Sequence, residues 1–224
     1  MNTIDTSPSR LADQLAAFKS AFKQRAAPER VALMEAATAT LRDTGIETSA
    51  LNVGDSAPAV TLLDATGRPF ELADAWQHGP VVIVFYRGAW CPYCNLTLRA
   101  WQERLPRLQA LGARFLAVSP QTPDHSISTA EKNALAFPVL SDSTMEAARA
   151  FGVAFTLSPE LAELYASVGN DLPVINGNGQ WALPIPATYV VGRDGRIAFA
   201  HVEADYRDRA EPDEVMAIVE GLSR

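Results

Sequence analysis

Residues Val81 to Tyr86 form an unbroken apolar run, Val-Val-Ile-Val-Phe-Tyr, rich in β-branched side chains. A run of that length suits a strand buried on both faces, so the fold around it must supply a layer above and a layer below. The next residues continue in kind. Cys91 to Leu111 has helical character and Phe115 to Val118 is a second buried strand, which together make a β-α-β unit.

In front of this unit, residues 9–44 repeat apolar side chains at helical spacing: Leu11, Leu15, Phe18 and Phe22, then Val31, Met34, Ala37 and Leu41. Pro28 divides the stretch into two helices, with Ser9 the expected N-cap of the first and Gly45 the stop of the second. Residues 1–50 are read as a helical extension packed on the main domain, with a dimer contact (a homodimer) or a lid over the site as alternatives. Residues 51–224 are read as the domain itself.

Within that domain, Val60 to Leu63 and the turn Asp64-Ala65-Thr66-Gly67 open a hairpin. Ala130 to Leu135, Thr144 to Ala150, Pro159 to Val168 and Pro212 to Leu222 read as helices, and Pro138 to Leu140 as a short strand. Ser158 to Trp181, with its turn-rich Asn176-Gly177-Asn178-Gly179, reads as an insertion. Thr188 to Val191 and Arg196 to Val202 flank Gly192-Arg193-Asp194-Gly195 and form a second hairpin. The order predicts an α/β fold: a mixed central sheet flanked by helices.

With 224 residues, 48% of them hydrophobic, the chain can bury the core of one domain plus an appendage. Nineteen Lys and Arg against 26 Asp and Glu leave a formal charge of −7. No basic excess exists to displace counterions, so nucleic acid and anionic membranes are not expected partners. Met1 to Ser20 lack a basic start followed by an apolar run, and no stretch approaches the roughly eighteen apolar residues of a membrane span. The expected location is the cytoplasm.

A reducing compartment gives the two cysteines, Cys91 and Cys94, their meaning. Cys91 follows a strand-to-helix turn, where unpaired backbone N–H groups and the helix dipole stabilise a thiolate. Pro92 suits the first helical position, and Cys94 lies one turn on, close enough to Cys91 for one sulfur to attack and the other to resolve the resulting sulfenic acid or mixed disulfide. A structural zinc site would want four ligands, whereas there is no second cysteine pair and His78, His125 and His201 lack ligand spacing. Two inert thiols remain the bland alternative.

The stretch Phe85-Tyr86-Arg87-Gly88-Ala89-Trp90-Cys91-Pro92-Tyr93-Cys94 resembles the active-site region of the peroxiredoxin and alkyl hydroperoxide reductase family of the thioredoxin superfamily. Trp90-Cys91-Pro92-Tyr93-Cys94 also resembles thioredoxins and glutaredoxins. Val53-Gly54-Asp55-Ser56-Ala57-Pro58, Phe137-Pro138-Val139-Leu140-Ser141-Asp142 and Ala187-Thr188-Tyr189-Val190-Val191 look like further peroxiredoxin landmarks, in order, so the likeness covers residues 53–220. It implies a thioredoxin-like fold.

Matched residue by residue, the two patterns disagree about the sulfurs. In the peroxiredoxin pattern the peroxide-attacking cysteine falls on Cys94, with Cys91 in place of a Thr and Arg87 in place of a Pro. In the thioredoxin pattern the nucleophile falls on Cys91, and Phe85 replaces a buried acid. Pro186 stands where peroxiredoxins carry an arginine, and it resembles the cis-proline of thioredoxin-like proteins as much as an ordinary loop proline. Thr188, just after it, is read as mainly structural.

Arg87 is the candidate replacement cation, or else a solvated surface arginine; Arg99 is a weaker one. Trp90 and Tyr93 are expected to form an apolar rim, or simply to pack. The resemblance implies a thiol peroxidase without metal, haem or flavin cofactor, acting on a hydroperoxide and reduced by a thioredoxin or glutathione system. A disulfide reductase with Cys91 as nucleophile is the alternative, and a redox-sensing module the third reading.

Overall fold

A computed structural model describes residues 10–223. The chain begins with α1 (Leu11–Arg25), α2 (Pro28–Asp43) and the one-turn α3 (Ile46–Ser49), followed by the hairpin β1 (Thr61–Leu63) and β2 (Pro69–Glu71), then α4 (Leu72–Trp76). The β-α-β unit is β3 (Val81–Phe85), α5 (Pro92–Ala110) and β4 (Arg114–Ser119). After it come α6 (Pro123–Lys132), β5 (Val139–Ser141), α7 (Glu146–Ala150), β6 (Ala154–Thr156), α8 (Pro159–Ser167) and α9 (Leu172–Ile175). The chain closes with β7 (Ala182–Pro184), β8 (Ala187–Val191), β9 (Ile197–Val202) and α10 (Pro212–Leu222).

Seven strands form one mixed sheet in the order β2-β1-β5-β4-β3-β8-β9. β4 lies parallel to β3 and β5, while β8 is antiparallel to β3. The apolar run of β3 is buried throughout, and its side chains alternate between two cores. Val81, Ile83 and Phe85 join Leu72 and Trp76 of α4 on one face. Val82, Val84 and Tyr86 join Leu98 and Trp101 of α5 and Val215 of α10 on the other. This double coverage fixes where the strand ends, and hence where the cysteines begin.

The hairpins and most helices lie where the sequence predicts them, and Gly45 ends α2 in the left-handed region at φ 75°. Ser9 falls outside the described residues. The helix expected at Ala130 to Leu135 begins seven residues earlier, at Pro123. Its buried face is polar, which hides it from an apolar-periodicity reading: Ser126 bonds Ser141 (2.8 Å) and Thr129 donates to His125 O (2.8 Å). Pro186 departs from the cis reading, since no cis peptide bond occurs among the described residues. Only Ile185 and Pro186 separate β7 from β8, and Ile185 N–H bonds Val153 O (2.8 Å), which anchors this short connection.

The N-terminal helices share the domain's cores. Leu11 and Leu15 of α1 are buried with α5, and Met34 and Ala37 of α2 pack against the α8 cluster. α1 has no side-chain cap of its own; instead the buried Glu211 carboxylate, at the N-cap of α10, accepts from Leu11 N–H and Ala12 N–H (both 3.2 Å). One carboxylate thus ties two helix N-termini together, where negative charge is favoured. Glu211→Gln is expected to destabilise the protein by about 1–2 kcal/mol, by loss of one charge-assisted acceptor. Urea unfolding tests this: an unchanged midpoint would remove Glu211 from its role.

Candidate active site

The site is built at the end of β3. Tyr86 N–H still bonds Val118 O (2.9 Å), and the chain then turns through Arg87-Gly88-Ala89-Trp90 into α5. Gly88 has φ 145°, and a Cβ there would lie 2.4 Å from Trp90 Nε1, so the turn requires glycine. Gln121 Oε1 accepts from Ala89 N–H (2.8 Å), and Asn95 Nδ2 donates to Ala89 O (2.8 Å). Cys91 occupies the N-cap of α5, with Pro92 at the first helical position. Cys94 therefore sits in the first turn, where backbone N–H groups lack helical partners.

Both cysteines are free thiols and almost wholly buried, with 2% of Cys91 and none of Cys94 exposed. Burial raises a thiol pKa by penalising the charged form, and for Cys91 it does so, reinforced by hydrogen bonding to Cys94 and by that sulfur's charge. Cys94 goes the other way. Burial opposes its ionisation too, but the Cys91 thiol donates to it and Arg209 and Arg87 add positive charge, which brings it down to about 5. Of the two sulfurs, Cys94 is the one whose surroundings favour the thiolate, and Cys91 the one whose surroundings favour the thiol.

Arg209 was not legible in the sequence. Its Nη2 lies 3.7 Å from Cys94 Sγ, yet it belongs to the loop before α10, 115 residues further on. No motif marks it. Arg87 is no solvated surface arginine either: it is 3% exposed and caged by aromatic rings, its Cζ 4.2 Å from the Tyr206 centroid and 4.9 Å from that of Trp90. Its Nη2 donates to the Tyr165 hydroxyl. Such a cage suits a cation that must stay charged without water.

The remaining candidates divide. Arg99 is exposed and donates to Asn95 O (3.2 Å), on its own helix. Thr188 is paired with Val84 inside the sheet. Pro186 is apolar lining beside Arg87, Tyr165 and Tyr206, so the cations beside Cys94 come from Arg87 and Arg209. Trp90 stacks edgewise on Tyr165 (5.4 Å), and Tyr93 on Phe18 (5.0 Å) and Tyr206 (5.5 Å). These rings, with α1 and α2, surround a cavity of about 280 Å³ at Cys91. Tyr165 and Phe18 carried no local signal, since they reach the site from α8 and α1.

A model of the AhpC/TSA family matches residues 53–200. Rv2521 of Mycobacterium tuberculosis strain H37Rv, provisionally named a peroxiredoxin, is 29% identical over 154 residues, covering 69% of this chain and 87% of that protein. The thiol-disulfide oxidoreductase ResA of Geobacillus thermodenitrificans is 26% identical over 152 residues, 67% of this chain and 70% of its own. Among solved structures, peroxidoxin BcpB from Mycobacterium tuberculosis aligns with a TM-score of 0.61 at 21% identity, covering 77% of this chain and 98% of that one. The fold is thus the thioredoxin-like fold the sequence resembles, with α1 and α2 outside the matched region. The chain belongs to the AhpC/TSA family.

Proposed function

We propose that this chain is a thiol-dependent peroxidase in which Cys94 attacks the hydroperoxide and Cys91 resolves the product. The observation that carries the assignment is the setting of Cys94: fully buried in the first turn of α5, its sulfur lies 3.7 Å from Arg209 Nη2, an arrangement that favours the thiolate there. A thiolate is the nucleophilic form, and here it belongs to the second cysteine.

The Cys94 thiolate bonds to the terminal peroxide oxygen, the O–O bond breaks, and the departing alkoxide takes a proton to leave as an alcohol. Arg87 and Arg209 stand beside the sulfur as positive charges where negative charge passes from it to the departing oxygen. Cys94 is then a sulfenic acid. Cys91 loses its proton and attacks that sulfur, hydroxide leaves as water, and a Cys91–Cys94 disulfide forms. Neither step calls on a metal, haem or flavin. A thioredoxin or glutathione system would restore the thiols, which fits a reducing cytoplasm; among the described residues no helix is long and apolar enough to cross a membrane. The helices α1 and α2 act in this reading as a cover for the site, through Phe18 and Phe22 of α1 and Arg30 and Met34 of α2.

The rival, a disulfide reductase with Cys91 attacking, draws on the likeness to ResA. Against it stand the Cys91 thiol, pushed well above its ordinary pKa, and Arg209, whose guanidinium lies beside Cys94 instead.

The variants separate the two readings. Cys91→Ser is expected to react once with hydrogen peroxide and retain a trappable sulfenic acid on Cys94, whereas Cys94→Ser is expected to be inert. Peroxide leaving both thiols intact, with Cys94→Ser trapping a mixed disulfide from insulin through Cys91, would establish the reductase instead.

The pH dependence follows from the sign of the shift. A thiol lowered to about 5 stays ionised above that pH, so the peroxide rate constant should be flat from neutrality down to about pH 6 and fall as pH drops through about 5. Arg209→Gln removes one of the two cations, so its midpoint should move up toward the ordinary thiol range and its rate constant fall about tenfold at pH 6. Stopped-flow oxidation across pH reads both; an unmoved midpoint removes Arg209 from the site.

A further inference from the structure

The cavity of about 280 Å³ at the N-terminus of α5 has Cys91, and not Cys94, in its wall. A molecule seated there meets the resolving sulfur. Among the described residues its lining includes two arginines, Arg30 and Arg87, and no carboxylate, in a chain whose net charge is −7. The Nε atoms of both arginines, Trp90 Nε1 and the Tyr93 hydroxyl are buried and have no hydrogen-bond partner among the described residues. Tyr93 and Arg87 are 4% and 3% exposed. Those donors are sealed in the wall, and it is the two guanidinium charges without a facing carboxylate that make the cavity suited to an anionic ligand.

Size narrows the ligand further. The volume lies near the lower end of small-molecule sites, which run from roughly 300 Å³ upward. Phe18 and Met34, from α1 and α2, close one side of it. Neither helix lies within the family match, so this wall is added to the common domain. A cavity closed in this way admits a tripeptide-sized molecule more readily than a protein loop.

We propose that the cavity receives a small anionic thiol of the glutathione class, which reduces the Cys91–Cys94 disulfide by attacking the Cys91 sulfur, with Arg30 anchoring its carboxylate. The proposal rests on the peroxidase reading only for the origin of the disulfide. The incoming thiol gives its proton to solvent and its sulfur bonds to Cys91 Sγ. The S–S bond breaks and its electron pair leaves on Cys94, the sulfur whose negative charge Arg87 and Arg209 stabilise and which is therefore the better leaving group. A second thiol attacks the small molecule's sulfur in the mixed disulfide, releasing Cys91 and passing its proton to it. Two thiols are oxidised to one disulfide, and one protein disulfide is reduced.

The test forms the protein disulfide with hydrogen peroxide and, separately, with diamide, then follows reduction by glutathione, glutathione diethyl ester, dithiothreitol and thioredoxin. Expected are a rate that saturates with glutathione, about tenfold slower reduction by the ester, and a glutathione-to-dithiothreitol rate ratio about tenfold lower in Arg30→Ala but largely kept in Arg30→Lys. Oxidised glutathione should load Cys91 in Cys94→Ser, seen by mass spectrometry. Unsaturable reduction with no preference for glutathione over its ester overturns the proposal, as does reduction by thioredoxin alone. If the diamide-made disulfide behaves as expected while peroxide fails to make one, the cavity assignment stands and the peroxidase reading falls.

Discussion

A thiolate in a dry interior is unfavourable unless fixed charges and hydrogen bonds replace the water it has lost. Around Cys94 the Cys91 thiol, Arg209 and Arg87 answer that requirement, and they give two chemically identical side chains different surroundings. Remove the cations and burial alone would protonate both. The neighbouring features are then legible as means of holding those cations in place: the aromatic cage keeps Arg87 charged and oriented, and the loop before α10 delivers Arg209.

The scaffold matters because it holds the sulfurs still. β3 is clamped between two apolar cores and hydrogen-bonded on both edges, so the turn at Gly88 starts from a rigid platform. Gln121 ties that turn to the start of α6 and Asn95 ties it to α5. The helix α1, tethered by Glu211, and the helix α2 then contribute part of the cavity wall. Stability and chemistry share residues here: Phe18 packs against Tyr93 and also encloses the space beside Cys91.

Much of this was legible from sequence where the code is local. The buried strand, the Cys-Pro-x-Cys helix start and the two hairpins all follow from burial pattern and backbone preference within a few residues. The first turns of α6 carry no apolar signal because their buried side is made of Ser126 and Thr129, which bond Ser141 Oγ and His125 O instead of making apolar contacts. Pro186 was ambiguous for a related reason, since a proline's isomer depends on the strands that flank it.

Local sequence determined that two thiols would meet at the mouth of a helix on a buried strand, and that redox chemistry belonged there. Which thiol carries the charge was decided only in three dimensions. Arg209 arrives from 115 residues away, Tyr165 from α8 and Arg30 from α2, and none bears a mark in its own neighbourhood of the chain. Electrostatic interaction depends on distance and on the water excluded between groups, and packing alone sets both.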